Sequence, residues 1–141
     1  MKALIAMSGG VDSAVAAYLM QRSGWDCIGC TMKLFQNEDA GVAREKTCCA
    51  LDDVEDARAV AFRMGIPHYV FNFSDEFREK VIEKFIRAYQ QGRTPNPCID
   101  CNRYLKFDYL LSEAMRQGCR YLATGHYARI IRGENGRWLL Q

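Results

Sequence analysis

The sequence predicts an α/β fold built on an open parallel sheet with helices on both faces. Short apolar runs at 3–7, 27–32, 69–73 and 121–124 alternate with longer stretches whose apolar residues recur at helical spacing. That alternation calls for right-handed crossovers between parallel strands. Composition agrees: 141 residues, 49% hydrophobic and 26% charged, with 3 prolines against 11 glycines, fit one domain over 1–141. A chain of this size buries roughly two-thirds of the surface its unfolded form exposes, so it builds a core without staples.

Each element has its own warrant. Ala3 to Met7 is a continuous apolar run ending in Ser8-Gly9-Gly10, as a buried parallel strand would. A helix follows at once: Val11, Val15, Tyr18, Leu19 and Arg22 fall on one face, Asp12 and Ser13 suit the first turn, and Gly24 stops it. Cys27 to Met32 is the second strand, and the polar, aperiodic residues 35–48 are expected to form a long loop at its C-terminal end. From Leu51, apolar positions 54, 57, 61 and 64 mark a helix that Gly65 and Pro67 terminate. Tyr69 to Phe73 is the third strand. Phe77, Val81, Phe85, Ala88 and Tyr89 mark a helix ending near Gly92, and Phe107, Leu110, Leu111, Ala114 and Met115 mark another before Gly118. Between them, residues 93–102 read as a Pro-rich exposed loop. Tyr121 to Thr124 is the fourth strand, and Glu134-Asn135-Gly136 sits between two short runs as a hairpin turn.

No apolar run approaches the ~20 residues of a membrane span, and the first seven residues are too short for a signal core. The expected location is the cytosol. Seven cysteines, an odd number without an export signal, argue against a disulfide framework. Cys27, Cys30 and Cys119 lie in apolar surroundings and read as small core residues. Net charge is +2, divided as −2 over residues 1–70 and +4 over 71–141, which permits an acidic partner without demonstrating one.

Ligands of open α/β sheets bind outside the carboxyl ends of the strands. Three unusual segments are expected to converge there: Ser8 to Ser13, Met32 with its loop, and Gly125-His126. In the first, two glycines let the backbone curl close to an anion, while the following helix offers free amides and partial positive charge. The alternative is a tight turn in which Ser8 and Asp12 cap the helix. It is neither a Walker A loop, lacking the terminal Gly-Lys-Ser/Thr, nor G-x-G-x-x-G. In strand-loop-helix context, Ser8-Gly9-Gly10-Val11-Asp12-Ser13 resembles the SGGxDS signature of PP-loop ATP pyrophosphatases, which cleave ATP between the α and β phosphates and transfer adenylate to a carbonyl oxygen.

A second motif, Thr94-Pro95-Asn96-Pro97-Cys98-Ile99-Asp100-Cys101-Asn102, spaces two cysteines as C-x-x-C. A structural zinc is disfavoured because it needs four ligands, and the other plausible pair, Cys48 and Cys49, is adjacent rather than spaced. A reactive thiol beside Arg103 and Lys106 fits better. With Ala123-Thr124-Gly125-His126-Tyr127-Ala128-Arg129 following in order, nearly the whole chain resembles the N-terminal part of the tRNA 2-thiouridylase family.

That resemblance implies a Rossmann-like adenine nucleotide α-hydrolase fold, ATP with Mg²⁺, and sulfur transfer to C2 of a tRNA wobble uridine. By it, Ala6, Met7, Ser8, Gly9, Gly10, Val11, Asp12, Ser13, Met32 and Gly125 contact ATP. Asn96, Pro97 and Cys98 approach the target base, and His126 touches the tRNA. Cys101 is the nucleophile, with Asp12 as a second catalytic residue. Partners are tRNA and an upstream protein that carries sulfur as a persulfide. The family's second, persulfide-bearing cysteine lies further along than position 141, so these residues alone are expected to bind nucleotide and not to thiolate. Cys98 stays open between spectator, resolving thiol and, with Cys101, ligand of an iron-sulfur cluster. His68 reads as a structural or surface histidine. Arg87, Arg93, Arg103, Lys106, Arg129 and Arg132 are candidate phosphate contacts. Two rival readings are a PP-loop synthetase with another acceptor, against which the cysteine motif argues, and a metal-binding module.

Overall fold

The computed structural model describes residues 1–35 and 51–140. The expected loop at 35–48, beyond residue 35, and the pair Cys48-Cys49 lie outside them. Four strands, β1 (Lys2–Ala6), β2 (Asp26–Lys33), β3 (His68–Asn72) and β4 (Tyr121–Ala123), form one parallel sheet in the order β3-β2-β1-β4. The chain winds outward from β1 to β3, then crosses to the other side of β1 for β4. The strand order therefore reverses beside β1, and the carboxyl ends of the strands at such a switch point are where open sheets take ligands.

Alternation along β1 divides the core. Ala3, Ile5 and Met7 face one way, onto the helices α1 (Val11–Arg22) and α2 (Leu51–Met64), with Ala17, Ala57 and Ala61 as partners. Leu4 faces the other way, into a cluster with Ile28, Cys30, Val81, Leu105 and Leu110. That second layer is two helical rods. The first runs through α3 (Ser74–Phe77), a wider π-type stretch Arg78–Ile82 and α4 (Glu83–Gln90). The second runs through α5 (Pro97–Asp100), the π-type stretch Cys101–Tyr109 and α6 (Leu110–Arg116). A separate antiparallel hairpin, β5 (Ile130–Arg132) with β6 (Trp138–Leu140), turns at Gly136 as expected.

Two expectations fail instructively. On α1 the chosen face points outward: Val11, Val15, Tyr18 and Leu19 are 73, 47, 48 and 56% exposed, and the buried residues are Ser13 and Ala17. Small side chains let this helix lie close to the sheet. Residues 97–102 are no loop either. Asn96 caps a helix, its Oδ1 accepting from the Cys98 amide at 3.1 Å, and Pro97 occupies the first turn, where its missing N–H costs nothing. The cysteine motif thus sits on a helix, with Cys98 and Cys101 three residues apart and on neighbouring positions of one face.

Candidate active site

At the carboxyl ends of the strands lies a cavity of about 640 Å³, within the range that holds a nucleotide-sized ligand. Ala6, Met7, Ser8, Asp12 and Ser13 line it after β1, Met32 at the end of β2, and Gly125 and His126 after β4. From the second rod come Pro97, Cys98 and Cys101. Gly9, Gly10, Val11 and Asn96 do not line it. The first three complete the loop around it, and Asn96 acts through its cap.

The loop's shape follows from contacts a side chain would forbid. Gly9 has φ +81°, and a Cβ there would stand 2.6 Å from the Asp53 carbonyl oxygen on α2. A Cβ on Gly125 would meet the Ser13 amide nitrogen at 2.8 Å, so the segment after β4 lies directly on the amino end of α1. Gly10 is the N-cap of α1, and no described side chain caps the helix. The capping alternative is thereby displaced: Ser13 Oγ donates to the Gly10 carbonyl at 2.9 Å and accepts from the Ser8 amide at 3.1 Å, and Ser8 Oγ lies 3.4 Å from Ser13 Oγ. The serines brace the loop and leave the amides of the helix end free of any described side-chain cap, a geometry that suits an anion.

Around this helix end the polar groups are held in place. Tyr127 donates its hydroxyl to Asp12 Oδ1 at 2.6 Å, and the carboxylate pushes the phenol's pKa up. His126 Nδ1 lies 2.8 Å from Thr124 Oγ1 and its Nε2 3.3 Å from Asn102 Oδ1, with Phe107 against the ring. Burial, and then the positive charge of Lys106, hold this imidazole below its usual range. Below the floor, Thr31 Oγ1 donates to the Met7 carbonyl at 2.8 Å, so it must accept from His68 Nε2–H at 2.9 Å. His68 is thus a neutral structural residue whose buried Nδ1 has no hydrogen-bond partner among the described residues, and burial lowers its pKa.

The thiols separate into two groups. Cys98 is exposed and Cys101 half-buried at the cavity, whereas Cys27, Cys30 and Cys119 are buried as expected. Burial raises all three, Cys30 to about 12, so Cys30 lines the cavity as an inert thiol. Among the described residues no three His, Cys, Asp or Glu side chains gather as a metal-holding group. The Asp12 carboxylate nevertheless has the hard oxygen chemistry that suits Mg²⁺ alongside phosphate oxygens, and the uncapped helix end suits the phosphates themselves.

A family model described as the tRNA methyl transferase HUP domain matches residues 1–141. The chain belongs to that family. It is similar to the tRNA-specific 2-thiouridylase MnmA of Clostridium acetobutylicum and to that of Clostridioides difficile. Each is 56% identical over 99% of this chain, which spans 39% of the relative's length. Among solved structures, a predicted subunit of tRNA methyltransferase from Methanocaldococcus jannaschii aligns with TM-score 0.54 at 20% identity, over 89% of this chain and 53% of that one. NMN synthetase from Francisella tularensis aligns with TM-score 0.51 at 23%, over 84% and 43%. At such identities these two speak for the fold alone, and the fold is the expected Rossmann-like one.

In this HUP domain several lining residues escape a motif reading. Thr31 and Thr124 were findable, since both sit at strand C-terminal ends beside residues already singled out. Asn102 and Lys106 follow Cys101 at spacings that a helix, though not a loop, brings to the cavity. Phe77 and Val81 read as core and serve partly as cavity wall. Asp53 had no local signal, because only the packing of α2 on Gly9 delivers it. No described helix is long and apolar enough to cross a membrane.

Proposed function

We propose that this chain is the nucleotide-binding and adenylating part of an ATP-dependent tRNA 2-thiouridylase. The observation that carries the reading is one cavity shared by the uncapped end of α1, the Asp12 carboxylate and Cys101. Similarity to the 2-thiouridylases supplies the substrate class, a tRNA uridine.

In this reading the amides of residues 9–13 take the β and γ phosphates of ATP, where helix-end charge stabilises the pyrophosphate as it departs. Ala6, Met7, Met32 and Gly125 enclose the nucleoside. Asp12 would hold Mg²⁺, which when bound neutralises phosphate charge; Tyr127 orients its carboxylate. Uracil O2 attacks the α-phosphorus, the bond to the bridging oxygen breaks with its electron pair going to pyrophosphate, and the N3 proton is released. O2 becomes a phosphoester, a far better leaving group. Pro97 and Cys98 receive the base at the cavity wall, Asn96 holds the turn that carries them, and His126, neutral and fixed by Thr124 and Asn102, contacts the tRNA. Cys101 is the nucleophile of the sulfur-transfer half, with sulfur arriving from a persulfide-carrying protein through a cysteine outside these residues. An iron-sulfur cluster on Cys98 and Cys101 would likewise need ligands from outside the described set. The cytosol, where tRNA is found, is the proposed location.

Titration calorimetry with Mg·ATP tests the reading. Gly10→Val and Asp12→Ala should each abolish measurable binding. A Cβ at Gly10 meets only Ser8 Oγ, at 3.5 Å, so a loss there reports blocked phosphate access rather than misfolding. Equal affinity in wild type and both variants would sink it.

A further inference from the structure

The cavity holds two carboxylates, Asp12 and Asp53, but among its described lining residues Lys106 is the one lysine or arginine. Among the described residues four cations form ion pairs, Arg58 with Glu55, Lys80 with Glu79, Lys84 with Asp100 and Arg116 with Glu113, and none of these pairs lines the cavity. Lys106 has no hydrogen bond or ion pair with any described residue. A lone ammonium at the wall of a largely apolar cavity is stabilised when an anion fills the space.

Its place in the fold says which anion. Lys106 stands on the helical rod that carries Cys101 and Asn102. Asn102 Oδ1 meets His126 Nε2, His126 follows Gly125, and Gly125 lies on the backbone of Asp12 and Ser13. A continuous line of contacts thus runs from the cysteine-bearing wall to the amino end of α1. The ammonium and the free helix end border one space, and the positive charge of Lys106 is felt at His126 within it. An anion with charge distributed along its length, as in a nucleotide's phosphate chain, meets both features at once.

We propose that Lys106 is a phosphate-binding residue of this cavity, its ammonium holding an oxygen of the nucleotide's phosphate chain from the cysteine-bearing wall while the glycine loop holds the chain from α1. The inference rests on the nucleotide reading above and deepens it. A cation here adds directional charge to a site otherwise built from amides, and it draws the phosphates toward Cys101 and the incoming base.

The test compares wild type, Lys106→Gln and Lys106→Arg in calorimetric titrations with Mg·ATP, adenosine and a short anticodon stem-loop RNA. Lys106→Gln should weaken Mg·ATP binding about tenfold, as loss of a charge-assisted hydrogen bond does, with Lys106→Arg retaining most of the affinity. Adenosine, which has no phosphate, should bind wild type and Lys106→Gln alike. The inference fails if Lys106→Gln binds Mg·ATP as tightly as wild type, whether or not its RNA affinity falls, since an RNA-only loss would assign Lys106 to the tRNA backbone. It fails also if adenosine is lost in step with ATP, because the role would then be structural. Wild type without affinity for Mg·ATP would overturn the nucleotide reading itself, and this inference with it.

Discussion

Replacing Gly125 with alanine should destabilise the fold and loosen nucleotide binding together. The new Cβ would stand 2.8 Å from Ser13 N, 2.9 Å from the Asp12 carbonyl carbon and 3.1 Å from Ser13 Cα. All three are backbone atoms, so no side chain can swing aside. Relief requires the segment after β4 and the amino end of α1 to part by about 0.6 Å, the shortfall from ordinary contact. Overpacking of this kind costs about 1–3 kcal/mol, and the atoms displaced are those proposed to receive phosphate. Gly10→Ala is the matched control: Gly10 has φ −78° and ψ 160°, which alanine adopts, and its Cβ finds only Ser8 Oγ at 3.5 Å. Urea denaturation should show Gly125→Ala weakened by that amount and Gly10→Ala near or slightly above wild type, since alanine also reduces the unfolded chain's freedom. Mg·ATP affinity should fall in Gly125→Ala. An unchanged urea midpoint for Gly125→Ala would refute the argument, because the close approach of the two loops would then not exist.

Two further outcomes follow from the titratable groups. Iodoacetamide at pH 7.5 should label Cys98 and Cys101 well before Cys27, Cys30 and Cys119, whose burial raises their pKa and blocks access; mass-spectrometric mapping that finds Cys30 among the fastest would contradict this. Burial holds His68 and His126 below the ordinary value of 6.5, so below about that pH the unfolded chain takes up protons that the fold refuses. Stability should be full near pH 7.5 and decline toward pH 5, less steeply in His68→Gln; a rise toward pH 5, or the same slope in that variant, would exclude the burial argument.

Much of this molecule is written in its sequence. Period and punctuation located the strands and most helices, because a strand's apolar run or a stop at Gly24 is decided by neighbours within a few residues. The glycine loop, the cysteine motif and the Gly125-His126 segment were legible for the same reason; the parallel-sheet rule predicted that the glycine loop, Met32 and Gly125-His126 converge, though not that the cysteine motif joins them. Even the start of the rod at Asn96-Pro97 was written locally, though a Pro-rich stretch reads equally as a loop until the helix beyond it is seen. Tertiary structure alone decided which face of α1 goes inward: Ser13 and Ala17 win over Val15 and Leu19 because close approach to the sheet favours small side chains over apolar area. It alone brought Asp53 beneath Gly9, tied His126 to Asn102, and set Lys106 at the cavity wall with no ion-pair partner among the described residues. Those contacts join residues 24 to 44 positions apart or set one group against all its neighbours, and no local pattern encodes a distance across the fold.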